Sequence, residues 1–146
     1  MRVSTRMVLA VFLVVAVFIS GCTGGGGSVT TDEQKIHNVL NQFESAMKSK
    51  NAEKLASLAT YPAYLDGQLF EKKEQAVAYY NLGFAFITEI QEFKVVDREI
   101  TITEDEAVVQ AKLKSRVEAL GEVFKDEQFF AMRLRKVGST WKIVEA

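Results

Sequence analysis

Few side chains in this sequence are equipped for chemistry. His37 is the one histidine, and hence the one side chain expected to titrate near neutrality. At about 100° per residue it lies roughly 115° from the centre of the helical stripe Ile36, Leu40 and Phe43, on a solvated flank without sequence-local partners. Asp126 and Gln128 fall on the same alternating face as Phe130, Met132 and Leu134. If the alternation is unbroken, a carboxylate and an amide stand at the end of an apolar face, the composition of a small-ligand site. If the strand begins later, Lys125-Asp126 is an exposed loop. Tyr61, Tyr64 and Tyr80 could add hydroxyls. The acidic runs Asp32-Glu33 and Glu104-Asp105-Glu106 lack the spaced oxygen ligands of a calcium loop. They read as a helix N-terminus and a solvated turn, and no residue set points to a metal or a cofactor. No nucleophile, base and orienting acid can be assembled from chain order alone.

The remaining reactive group, Cys22, is explained by what precedes it. Arg2 and Arg6 give a positive start, and Met7 to Ile19 form 13 consecutive apolar residues. As a helix that run spans about 20 Å, short of the roughly 30 Å hydrocarbon core of a bilayer. A positive start, a short apolar run and small residues at its end have the form of an export signal rather than an uncleaved anchor. Ile19-Ser20-Gly21-Cys22 resembles the lipobox of prokaryotic lipoproteins. The resemblance implies cleavage after Gly21, thioether lipidation of Cys22, further acylation of the palmitate kind, and a membrane-anchored, extracytoplasmic protein of the cell envelope. Two lipid chains on one residue suffice for stable anchoring. Thr23, Gly24 to Gly27 and Ser28-Val29-Thr30 cannot pack. Residues 22–31 are therefore a lipidated cysteine and flexible linker, and residues 23–31 span roughly 15–18 Å.

Without the signal (residues 1–21, containing Arg2 and Arg6), the 18 basic residues fall to 16 against 19 acidic, net −3. That balance carries no electrostatic footprint of nucleic-acid binding. The single cysteine also excludes a disulfide framework. Residues 32–146 have the length of one domain. Thr31-Asp32-Glu33-Gln34 reads as a capping box opening a helix over about 32–50. Asn51 caps a second helix, which Pro62 stops. Asp66-Gly67, between Ala63-Tyr64-Leu65 and Gln68-Leu69-Phe70, is the dipeptide of a type I′ hairpin. A third helix follows over about 73–87. It has two apolar faces, Ala76/Val77/Tyr80/Phe84/Ile87 and Tyr79/Leu82/Phe86, and is expected to be buried on both, with a cavity or a partner as the other possible cover. From Phe93 the pattern turns to alternation, with turns at Glu104-Asp105-Glu106, Gly121 and Gly138-Ser139. Helices followed by an antiparallel meander make an α+β arrangement.

This order of elements resembles the NTF2-like (nuclear transport factor 2-like) superfamily, including its SnoaL-like and ketosteroid-isomerase-like members. The residues that carry the resemblance are Phe43 to Leu58, Asp66-Gly67, Ile100-Thr101-Ile102, Ala107-Val108-Val109 and Trp141-Lys142-Ile143. It implies a cone: three N-terminal helices packed on a curved antiparallel sheet, a pocket between them, and often a dimer. In the isomerase branch a first-helix tyrosine stabilises an oxyanion and a carboxylate near the hairpin abstracts a proton. Spacing from Asn51 sets Asp66 at the carboxylate position and Phe43 at the tyrosine position. Phenylalanine cannot donate a hydrogen bond to an enolate, and Asp66 is also what the turn requires.

The expectation is thus a tethered, non-enzymatic domain that takes a small apolar ligand or a protein partner in its cone. Tyr64, Tyr80, Asp126, Gln128, Phe130 and Met132 would line the ligand site. Two alternatives are a lyase or isomerase using Asp66 or Asp126, and an envelope module dimerising through Val108, Leu120, Phe129 and Ala131 on the outer sheet face.

Overall fold

The computed structural model describes residues 31–146. The expected export signal, Cys22 and all but the last residue of the expected linker lie outside them. No helix among the described residues is long and apolar enough to cross a membrane.

Helix α1 (Asp32–Lys48) starts where its capping signal stands: Thr31 Oγ1 accepts a hydrogen bond from the Gln34 amide at 3.2 Å. Ser49 ends it, followed by Lys50 at φ 52°, two residues before the expected boundary. Asn51 caps α2 (Ala52–Ser57) by accepting from the Lys54 amide at 3.0 Å. That helix ends five residues before Pro62, so proline does not stop it. Pro62 sits inside β1 (Ala59–Leu65), where pairing with the neighbouring strand is irregular and a missing N–H is tolerated. β1 and β2 (Gln68–Phe70) form the expected hairpin, with Leu65 opposite Gln68 and both turn residues left-handed (Asp66 φ 51°, Gly67 φ 72°).

Helix α3 (Lys73–Phe84) is three residues shorter than its apolar pattern suggests. The chain becomes strand at once: β3 (Ile87–Thr103) begins six residues before Phe93, because the β-branched Ile87, Thr88 and Ile90 favour a strand. β3, β4 (Glu106–Ala119), β5 (Glu122–Val137) and β6 (Thr140–Glu145) form the antiparallel meander through three two-residue turns. The sheet order is β2-β1-β6-β5-β4-β3. One part of the expected architecture needs correcting, since β6 runs parallel to β1 and the sheet is mixed. Parallel neighbours require a long crossover, and nearly the whole domain supplies it here. Main-chain bonds fasten this join: Ile143 N–H donates to Leu58 O, Ala146 N–H to Tyr64 O, and Asp66 N–H to Ala146 O, at 2.8–2.9 Å.

The core lies between α1 and the sheet, where Ile36, Leu40, Val109, Met132 and Leu134 are almost wholly out of solvent. Every residue of this hydrophobic cluster falls between Ile36 and Ile143. Trp141 is buried as well, and its indole N–H donates to Asp32 Oδ1 at 3.1 Å, tying the start of α1 to β6. That bond, with a second from Lys136, holds the Asp32 carboxyl below the ordinary carboxylate range.

Candidate functional site

Three elements leave a cavity of about 760 Å³ beside the core. Phe43 and Met47 from the second half of α1 form one wall, and Tyr79, Tyr80, Gly83 and Phe84 from α3 form the roof. Phe93, Leu113, Gln128 and Phe130 rise from the sheet, while Asp66-Gly67 closes one end. The rings support one another. Phe43 packs edge-on against Phe93 at 5.5 Å and stacks on Phe130 at 5.9 Å. Along the roof, Tyr79 meets Tyr80 at 5.7 Å and Tyr80 stacks on Phe84 at 6.2 Å. Such aromatic spacing gives a stiff, apolar wall.

α3 is the element whose expected burial fails. Its Ala76 face is covered, but Leu82 is 65% exposed, and Phe86, just past the helix end, is 60% exposed. Both border the cavity. On the second apolar face Tyr79 packs against Phe70 at 5.3 Å, while Leu82 and Phe86 form the exposed rim of the cavity.

Of the six expected ligand-contacting residues, the cavity brings together Tyr80, Gln128 and Phe130. Tyr64 alternates with buried Ala63 and Leu65 on β1 and so projects into solvent. Met132 is core, two residues deeper under α1 than Phe130, and 1% exposed. Asp126 does belong to an unbroken strand, opposite Ser115, and so is not in a loop. It nevertheless lies outside the cavity and is exposed, because it is about 7 Å beyond Gln128 along the strand, past the helical roof. Tyr61 is absent from the lining too; its hydroxyl donates to Ala56 O at 2.7 Å, and burial pushes it up to about 12.

The polar end of the cavity centres on Asp66. Its Oδ2 accepts a hydrogen bond from the Tyr79 hydroxyl, a partner that the sequence pattern hides by placing Tyr79 among apolar neighbours. This bond is the main reason the Tyr79 hydroxyl is held above its ordinary range. Burial, then the nearby Tyr61, Asp66 and Tyr79, pushes Tyr80 up further. Both phenols therefore stay protonated at neutral pH. Among the described residues no hydrogen bond reaches the Tyr80 hydroxyl or Asp66 Oδ1, and no polar side-chain atom is sealed without a partner. Those two atoms are free to meet a ligand.

His37 is not the unpartnered flank residue its neighbours suggest. Its Nδ1 lies 3.2 Å from Arg98 Nη1, and the same guanidinium donates to Glu44 at 2.9 Å. The cluster joins α1 to β3, away from the cavity. Among the described residues no set of three or more His, Cys, Asp or Glu side chains could hold a metal ion.

No protein-family model matches the sequence, and no curated protein matches it. Solved structures do share its architecture. An NTF2-like protein from Cytophaga hutchinsonii superposes with a TM-score of 0.65 at 18% identity, covering 79% of this chain and 94% of its own. A member of the NTF2-like family from Streptomyces avermitilis, provisionally named a dehydratase, gives 0.65 at 18% identity, covering 78% and 92%. An NTF2-like protein of unknown function in nutrient uptake from Rhodospirillum rubrum gives 0.62 at 19%, covering 75% and 93%. Three N-terminal helices, a hairpin between the second and third, and a curved, mostly antiparallel sheet closing a pocket are thus the NTF2-like fold.

Proposed function

We propose that the protein is a lipoprotein held to a membrane through lipidated Cys22, outside the cytoplasm, with an NTF2-like domain that binds a small, largely apolar ligand without transforming it. The observation that carries the binding role is the open, ring-lined cavity of about 760 Å³, well within the size range of ligand sites. Its polar groups are few: Asp66, Tyr79 and Tyr80 stand together, which suits orienting one end of a ligand, and Gln128 lies on the sheet wall. Phe43 argues against catalysis of the isomerase kind: it lines the cavity where an oxyanion donor would have to stand, and it has no donor to offer.

The tether is supported by the run from Arg2 to Cys22, and the short linker keeps the domain near the bilayer. Native mass spectrometry of the purified protein should reveal a retained small molecule, and a neutral apolar fluorescent probe should bind with one-to-one stoichiometry. A cavity that takes up neither would overturn the binding role. Cys22→Ala should release the protein from membranes and abolish palmitate labelling, and full retention in the membrane fraction would overturn the anchor.

A second reading, a lyase or isomerase, draws on one observation: Asp66 borders the cavity and shares a hydrogen bond with Tyr79. It requires Asp66→Asn to abolish turnover of a substrate that the wild type converts.

A further inference from the structure

We infer that the cavity selects a positively charged, largely apolar ligand, an aromatic or alkyl amine protonated at neutral pH, with its ammonium group against Asp66. This rests on the binding role proposed above and specifies the ligand's chemical class.

Charge within the cavity is one-sided. Among its lining side chains Asp66 alone is charged, and no lysine, arginine or histidine accompanies it. Some acidic side chains of the domain are paired with cations, as Asp32 is with Lys136, Glu44 with Arg98 and Glu145 with Arg133, whereas others, among them Glu71 and Asp126, have no ion pair among the described residues. Asp66 has no such ion pair among the described residues. Lys50 reaches the backbone beside the cavity, but its ammonium donates to the Ile87 and Thr88 carbonyls at 2.9 and 3.1 Å and is not part of the lining. Tyr79 occupies only Oδ2 of Asp66, which leaves Oδ1 to accept from a ligand N–H. The Tyr80 hydroxyl, neutral and without a partner, can accept a second.

The walls favour the same charge. Aromatic faces carry negative potential, so a cation close to them is stabilised, and more so out of water. Tyr79, Tyr80 and Phe84 present a continuous run of rings beside the carboxylate. Asp66 itself is exposed at the end of the cavity, and a neutral ligand of the same shape would fill the apolar volume without gaining from its charge. An anion would meet Asp66 and the ring faces with the wrong sign.

The test uses the full-length protein, purified after expression and placed in zwitterionic lipid nanodiscs, with the signal from empty nanodiscs subtracted. Three fluorescent probes share one tricyclic body: aminomethylanthracene, anthracenemethanol and anthracenecarboxylate. Because Asp66 is solvent-exposed at the cavity's end, the amine should bind about threefold to fivefold more tightly than the alcohol at neutral pH, and the carboxylate least tightly. Asp66→Asn should abolish the preference for the amine over the alcohol. Asparagine tolerates the left-handed φ of 51°, and Asn-Gly suits this hairpin turn, so the variant keeps the fold. Alcohol binding equal to amine binding, or an amine preference that survives Asp66→Asn, overturns the charge selection while the cavity remains a binding site. Failure of all three probes overturns the binding role and this inference with it.

Discussion

Gly83 offers a way to change stability and ligand binding in opposite directions at one position. It lies in the last turn of α3 with a backbone that L-residues adopt freely, and a Cβ built there meets no heavy atom within 4 Å. Glycine costs about 0.8–1.0 kcal/mol relative to alanine in a helix interior, and less near a fraying end. Gly83→Ala should therefore stabilise the domain by roughly 0.5 kcal/mol, a rise of about 2–3 °C in the unfolding midpoint for a domain of this size. Gly83→Leu should gain nearly as much, since leucine is almost as good a helix former. Its branched side chain, however, projects into space at the edge of the cavity that Gly83 helps to line. Affinity for a neutral apolar probe should fall by about tenfold, equivalent to roughly 1.4 kcal/mol. Thermal unfolding by circular dichroism and probe titration on the same three proteins measure both effects. If Gly83→Ala lowered the midpoint, glycine would be needed there for a conformation or contact that the structure does not contain. If Gly83→Leu bound the probe as tightly as wild type, the probe would occupy some other surface and the cavity assignment would fail.

Leu120 should be replaceable with profit: it is 82% exposed and stands at φ 53° in the β4–β5 turn, a conformation that costs a non-glycine residue about 1 kcal/mol. Leu120→Asn, which creates an Asn-Gly turn, should raise stability by about 0.5–1 kcal/mol in denaturant unfolding, and a loss would argue against the assigned turn. Met132→Ala should cost about 2–5 kcal/mol because the side chain is fully enclosed in the core. A loss below about 1 kcal/mol would mean that Met132 faces the cavity after all. Alkaline pH should destabilise the fold. Tyr61 rises to about 12, and Tyr79 and Tyr80 also rise, whereas unfolded tyrosines titrate near 10. The folded state then binds more protons from about pH 10 upward, so this stabilisation is complete below pH 10 and is lost as pH climbs through the folded values. Unfolding midpoints that stay flat to pH 12 would refute the burial of Tyr61.

Local signals in the chain specify much of this architecture. Thr31 and Asn51 cap the helices they precede, Asp66-Gly67 turns the hairpin, and alternation from Ala107 to Leu134 sets the inner face of the sheet. What stays hidden depends on pairings between distant segments. Nothing in Tyr64 or Glu145 announces that β1 and β6 run parallel, because that pairing is fixed by how the helices and the meander close on each other. The site shows the same division. Phe130 and Gln128 follow from a period of two, but where the cavity ends along β5 depends on where α3 stops covering the sheet, so Asp126 falls outside. Tyr79 reads as one more apolar position, since only the folded chain brings its hydroxyl to a carboxylate 13 residues earlier. For His37 one neighbour, Glu33 at 3.9 Å, is a single helical turn away, but the other, Arg98, is 61 residues away.

The position of Asp66 bears on the choice between holding a ligand and converting it. A base that removes a proton from carbon leaves an electron pair on the substrate, and turnover requires donors aimed at the atom where that charge collects. Here the neutral donors Tyr79 and Tyr80 stand on the same helix, at the carboxylate end, and Tyr79 is already committed to Asp66 itself. The first-helix and sheet walls at Phe43, Phe93 and Phe130 are hydrocarbon, with only the Gln128 amide to offer a hydrogen bond there. A developing oxyanion against those rings would meet their negative faces, whereas a pre-existing positive charge meets them favourably from the outset. The same few residues therefore disfavour creating negative charge and favour storing positive charge. If Asp66 instead served as a base, introducing a donor by Phe43→Tyr should raise turnover of an enolisable ketone that fits the cavity. On the binding reading, that variant leaves turnover at the uncatalysed rate and changes only affinity.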